Sequence, residues 1–190
     1  CRIMSLTPGI IASSLSGHLI TGNFFLISQQ VLGSTATTVT FSSIPSTYKS
    51  LQLRVLARET YASPSVTYNS NLTLNSNTNY TLHYLQGNNN SITAVGQTGN
   101  NVAYSYGVPS GSTLANTYGA AIIDIIDYSS TTKYKTIKSI SGADVNNGTY
   151  NKIQINSALS LDTTAVTTIT FNKATSAFDV GSTFSLYGVS

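Results

Sequence analysis

The chain has 190 residues, a formal net charge of +3 and only 8% charged residues, against about 25% in an ordinary soluble domain. A single glutamate, Glu59, argues against a helical bundle, while 41% hydrophobic residues and twelve tyrosines argue against disorder. The weak positive charge, with a pI near 9.0, reflects few acids more than many bases and is too small for a typical nucleic-acid binder. Polarity comes instead from hydroxyls, with 28 Ser and 27 Thr. One domain with an arm fits this length, and Cys1 alone cannot form an internal disulfide.

Residues 1–22 read as an apolar arm. Ile10 to Ile27 carry no charge, yet Ser13, Ser14, Ser16, Gly17 and His18 interrupt the run and disfavour a membrane span or a signal peptide. Ile10, Ile11, Leu15, Leu19 and Ile20 are the docking candidates of this arm. Met4 is the expected natural start, with Cys1, Arg2 and Ile3 as an extension. The four sequons, at Asn71, Asn79, Asn89 and Asn147, match chance for so much Ser and Thr.

Residues 23–190 form the second region. Strands are expected over 24–32, 37–42, 51–58, 66–74, 80–85, 102–106, 118–128, 134–141, 150–158, 166–171 and 183–189, because β-branched and aromatic residues recur there between Gly, Asn, Pro and Ser clusters. In 51–58, Leu51, Leu53, Val55 and Ala57 face one side and Gln52, Arg54 and Arg58 the other, with Leu56 the exception. Ile169 and Phe171 likewise oppose Thr168 and Thr170. The stretch Ala120–Ile126 is apolar on both faces and is expected to be a central strand covered on both sides. Asn146-Asn147-Gly148 is a hairpin-turn signal. Residues 87–117 read either as exposed loops or as an extra hairpin. No helical period is sustained, so the fold class is an all-β, antiparallel β-sandwich of jelly-roll type.

Few groups are available for catalysis. Asp124 and Asp127 lie three apart on a strand, hence on opposite faces, and are expected at strand ends or turns. Asp144 and Asp162 precede turn residues and are expected to accept backbone N–H groups. His18, His83 and Cys1 make no metal spacing, and no nucleophile elbow, P-loop or dinucleotide fingerprint occurs. No cofactor is expected. Lys133 and Lys135 are placed on one strand face, with Lys138 on the other. Arg54 and Arg58 share a face, with Glu59 or an aspartate of a neighbouring chain as partner. These four basic residues are the candidate partner contacts.

Five stretches carry a family resemblance: Thr7 to Ser14, Ser43 to Arg54, Asn79 to Tyr84, Ile122 to Thr136, and Gly181 to Val189. Together they resemble small virion proteins of tailed bacteriophages, including those of cyanobacteria, described as capsid decoration (cement) proteins or tail-fibre domains. The resemblance implies a β-sandwich on a particle and no catalytic residue. The expected function is a non-enzymatic cement protein on the outer capsid, a dimer or trimer whose arm contacts the major capsid protein, with no nucleic-acid or membrane partner. The alternative is a tail-fibre module that binds host surface glycan through residues 87–117 and exposed tyrosines. A glycan-cleaving enzyme is a weaker third reading.

Overall fold

A computed structural model describes residues 23–62, 70–105, 107–146, 151–173 and 175–190. The expected arm, with His18 and Met4, lies outside the described residues, as do Val66 to Asn69 and the turn residues Asn147 and Gly148. The described residues contain β1 (Phe24–Val31), β2 (Thr38–Phe41), β3 (Ser50–Ala57), β4 (Ser70–Leu74), β5 (Tyr80–Asn88) and β6 (Ser91–Asn100). They continue with β7 (Ala103–Ser105), β8 (Gly119–Ile126), β9 (Lys135–Ala143), β10 (Lys152–Ser160), β11 (Ile169–Lys173) and β12 (Thr183–Val189). Every predicted strand has its counterpart, and the additional one is β6. It pairs with β5 through a tight turn at Asn89 and Asn90, where Asn89 has φ 52°. The 87–117 segment therefore holds a hairpin, then the short β7, then a loop.

The strands form two antiparallel sheets, one of eight strands in the order β1-β12-β3-β8-β9-β10-β5-β6 and one of four in the order β2-β11-β4-β7. Alternation in β3 turns Leu51, Leu53, Val55 and Ala57 inward, as predicted. They meet Val39 and Phe41 from β2, Leu72 and Leu74 from β4, and Ile169 and Phe171 from β11 in one continuous core. Phe178 sits at its heart, stacked on Phe171 at 5.5 Å between centroids and edge-on to Phe184 at 4.9 Å. Such aromatic pairs add about 1 kcal/mol each beyond their burial. Tyr128 and Tyr80 reach the core only because their hydroxyls are satisfied. The Tyr128 hydroxyl donates to the Pro45 carbonyl at 2.6 Å, and the Tyr80 hydroxyl accepts the Leu74 N–H at 2.8 Å.

Several charged residues are placed differently from the expectation. Glu59 pairs with Lys173, at 2.7 Å with both side chains buried, and also accepts the Ser176 hydroxyl at 2.6 Å. Arg58 does not share a face with Arg54. The chain leaves the sheet after Ala57, so the Arg58 side chain turns inward and its guanidinium donates to the carbonyls of Gly111, Thr113, Leu114 and Thr117. It thereby closes the 111–117 loop, with Asp179 at 3.9 Å. Lys133 and Lys135 also part company. Lys133 lies in the turn before β9, exposed and 3.4 Å from Asp127. Lys135 starts β9 facing inward, and its ammonium donates to the carbonyls of Ser130, Lys133 and Thr163. Burial pushes that amine below its ordinary range, against the pull of Asp162 and Asp127.

The carboxylates divide in the same way. Asp144 and Asp162 accept the N–H groups of Asn146 and Thr164 at 2.8 Å, as predicted for turn residues. Asp127 also occupies a turn, with φ 57°. Asp124 departs from the expectation: it lies inside β8 and accepts the Gln52 amide at 2.8 Å.

Candidate interaction surface

The functional question centres on the outer face of the eight-stranded sheet. β8 is central, between β3 and β9, but it is not covered on both sides. Gly119, Ala121, Ile123 and Ile125 are buried while Ala120 and Ile122 are exposed. The expectation fails because the described residues form two sheets, so the larger one is covered by the other on a single face.

Cross-strand register aligns the outward residues into three rows. The first runs Arg54, Ile122, Ile140, Ile155, Leu85 and Ala94 across β3, β8, β9, β10, β5 and β6. The second, two residues along each strand, runs Leu56, Ala120, Gly142, Ile153, Gly87 and Ile92. The third, on the opposite side of the first, is polar: Gln52, Asp124, Lys138, Ser157, His83 and Gly96. Ile122, Ile140, Leu85, Ile155 and Ile153 are each between 43% and 58% exposed. The first row from Ile122 to Ala94 lines a hollow of about 730 Å³, bordered by His83, Asp124 and Lys138.

Over 139–141 of β9 and 152–156 of β10 the usual polarity of a sandwich strand is reversed, while Ile137 and Ala158 at the other ends of these strands face the core. Ser139, Ser141, Lys152, Gln154 and Asn156 point inward and are buried, while Ile140, Ile153 and Ile155 point outward. A shift of one residue would exchange the two faces. The observed register is fixed by the flanking strands, whose inward Ala121, Ile123, Ile125, Tyr80 and Leu82 belong to the core. The inward polar residues face β7, whose Tyr104 carbonyl accepts the Asn156 amide. Among the described residues, the Ser141 hydroxyl and both polar atoms of the Gln154 amide have no hydrogen-bond partner. Burial lowers the pKa of the Lys152 amine from its ordinary value. Covering the remaining half of each outward aliphatic side chain is worth about 1 kcal/mol, so five of them supply about 5 kcal/mol toward association.

The borders of the face are ordered by polar contacts. Arg54 lies over the rings of Phe24 and Tyr187, 4.9 and 4.5 Å from their centroids, and donates to the Gln52 amide oxygen at 2.8 Å. Gln52 in turn holds Asp124, so the predicted contact Arg54 anchors one end of the face. At the other end the His83 ring rests on Gly96, where a Cβ would collide with the imidazole.

Of the four basic candidates, only Arg54 belongs to this face. The aliphatic residues that dominate it were not singled out from the sequence. Their signal was present as the alternation Lys152-Ile153-Gln154-Ile155-Asn156, but alternation does not say which side is the core. Among the described residues, no group of three or more His, Cys, Asp or Glu is placed to hold a metal ion, and no helix is long and apolar enough to cross a membrane. No family model, curated protein or solved structure matches the chain.

Proposed function

We infer that the protein is a structural component of an assembled particle, a decoration protein on the outer shell of a tailed-phage capsid. The observation that carries this reading is the uncovered apolar face with reversed strand polarity. Contiguous apolar patches beyond a few hundred Å² on a monomer mark contact surfaces. The sequence resemblance supplies the kind of particle. In this reading the arm residues Ile10, Ile11, Leu15, Leu19 and Ile20 dock on the major capsid protein, and many weak attachments over the shell add up to firm stabilisation.

Quantitative mass spectrometry of purified particles tests the reading. A decoration protein is present at on the order of hundreds of copies per particle. A few to some tens of copies would assign it to a tail fibre, and absence from the particle would refute both. Deleting residues 1–22 should abolish capsid binding while the sandwich still folds. Normal decoration by the truncated protein would remove the arm from the mechanism.

A further inference from the structure

The three rows of the outer face can be matched against a second copy of the chain. Consider a second copy placed face to face and related by a two-fold axis parallel to the strands, lying between β9 and β10. Each row then faces itself in reverse order. Ile140 meets Ile155 of the second copy, and Ile122 meets Leu85. In the second row Gly142 receives Ile153, Ala120 meets Gly87, and Leu56 meets Ile92. In the third row Asp124 faces His83, and Lys138 faces Ser157. Aliphatic residues meet aliphatic residues or glycine, and an acid meets an imidazole.

Two other placements are worse on the same registers. An axis across the strands and centred on the first row would set the apolar second row against the polar third. An axis shifted to lie between β8 and β9 would bring the Arg54 guanidinium nearer the centre, against Ile155, whereas the axis between β9 and β10 leaves it at the rim opposite Ala94. Counting the full width of six strands and three rows, the patch spans about 29 Å across the strands and about 20 Å along them. Its projected area of about 580 Å², enlarged by side-chain relief, approaches the roughly 800 Å² per partner of a stable interface. Sheets packed in this aligned manner lie about 10 Å apart and rotated by about 30°, so the central contacts keep the pairing best.

We propose that this face is the interface of a two-fold dimer of the chain, with Ile140 and Ile155 at its centre and Asp124 opposite His83. The proposal rests on reading the face as a contact surface, and not on which particle carries the protein. It leaves the arm available for the capsid.

Sedimentation of the full chain at about 10 to 100 µM should give twice the 20.1 kDa monomer mass. Ile140→Lys and Ile155→Lys should each weaken association at least about 100-fold, because a central apolar contact becomes an unpaired buried charge. Leu114→Lys, on an exposed loop away from this face, should leave it unchanged. In a Cys1→Ser background, a short bismaleimide should cross-link a mixture of Ile122→Cys and Leu85→Cys proteins and neither protein alone. Only the mixed pair lies directly across the interface. A monomeric wild type, a dimer that survives both lysine variants, or cross-linking of either cysteine protein alone would overturn the proposal. Capsid binding measured on the same preparations separates the two readings: a monomer that still decorates particles refutes the dimer alone, and a dimer that never binds refutes the particle assignment alone.

Discussion

Glu59 and Lys173 offer a direct test of what holds the sandwich together. Their carboxylate and ammonium lie 2.7 Å apart with both side chains buried, beside the core that contains Phe171 and Phe178. At an effective dielectric constant of 20 their attraction is about 6 kcal/mol. Removing each ion from water costs several kcal/mol, so the pair gains little in net terms. The local chemistry agrees: desolvation lowers the Lys173 pKa although Glu59 opposes the shift, and Glu59 Oε1 has no hydrogen-bond partner among the described residues. Glu59→Gln should leave the Lys173 ammonium without its counter-charge and cost about 3 to 5 kcal/mol. In a domain of this size that lowers the melting temperature by about 6 to 20 °C. The double variant Glu59→Leu, Lys173→Met keeps volume and removes both charges, and should unfold within about 1 kcal/mol of wild type or above it. Chemical denaturation of Glu59→Gln, and of Glu59→Leu, Lys173→Met and their combination as a cycle, measures these effects. Losses below about 1 kcal/mol for Glu59→Gln, or a double variant as weak as the sum of the singles, would refute the reasoning.

Other positions give independent checks. Gly119→Ala places a Cβ onto the carbonyl of Gly107, a backbone atom that cannot move aside; the variant should lose at least about 3 kcal/mol or fail to fold, read by thermal melting. Arg58→Ala leaves four loop carbonyls without their donor, and limited proteolysis should cut within 111–117 in the variant well before the wild type. Stability should depend on alkaline pH with a defined sign. Burial lowers the Lys152 and Lys173 pKa values below the ordinary 10.5, so between the folded values and 10.5 the unfolded chain holds more protons and stability rises with pH. Tyr80 and Tyr128 are shifted upward from 10.0, so the unfolded chain loses those protons first and stability falls as pH climbs above that value. Denaturation midpoints across pH 8 to 11 should show the rise before the fall, and Lys152→Met should flatten the rise.

Much of the architecture was legible because β structure writes itself with period two. Leu51, Leu53, Val55 and Ala57 could be placed on one face from the sequence, and Asp144 and Asp162 could be assigned to turns from local hydrogen-bonding chemistry alone. For the extra strand β6 the sequence does not decide between loop and hairpin, since Ser91 to Asn100 carries Gly96, Gly99 and Asn100 beside its apolar residues, and pairing with β5 makes it a strand. The charges misled for a related reason. Arg58 and Lys135 look like solvent-facing ends of strands, yet each lies where the chain changes direction and its carbonyls need a donor.

By itself the sequence determined the all-β class, the positions of most strands and the scarcity of charge, all of which follow from local preference and composition. Tertiary structure alone decided which face of each strand is the inside. Alternation is symmetric between the two sides of a sheet, and the choice belongs to the neighbours: β5 and β8 bring core residues to one face and thereby force Ile140, Ile153 and Ile155 of β9 and β10 onto the other. On that outer face aliphatic side chains stand uncovered because the second sheet packs against the opposite side of the first.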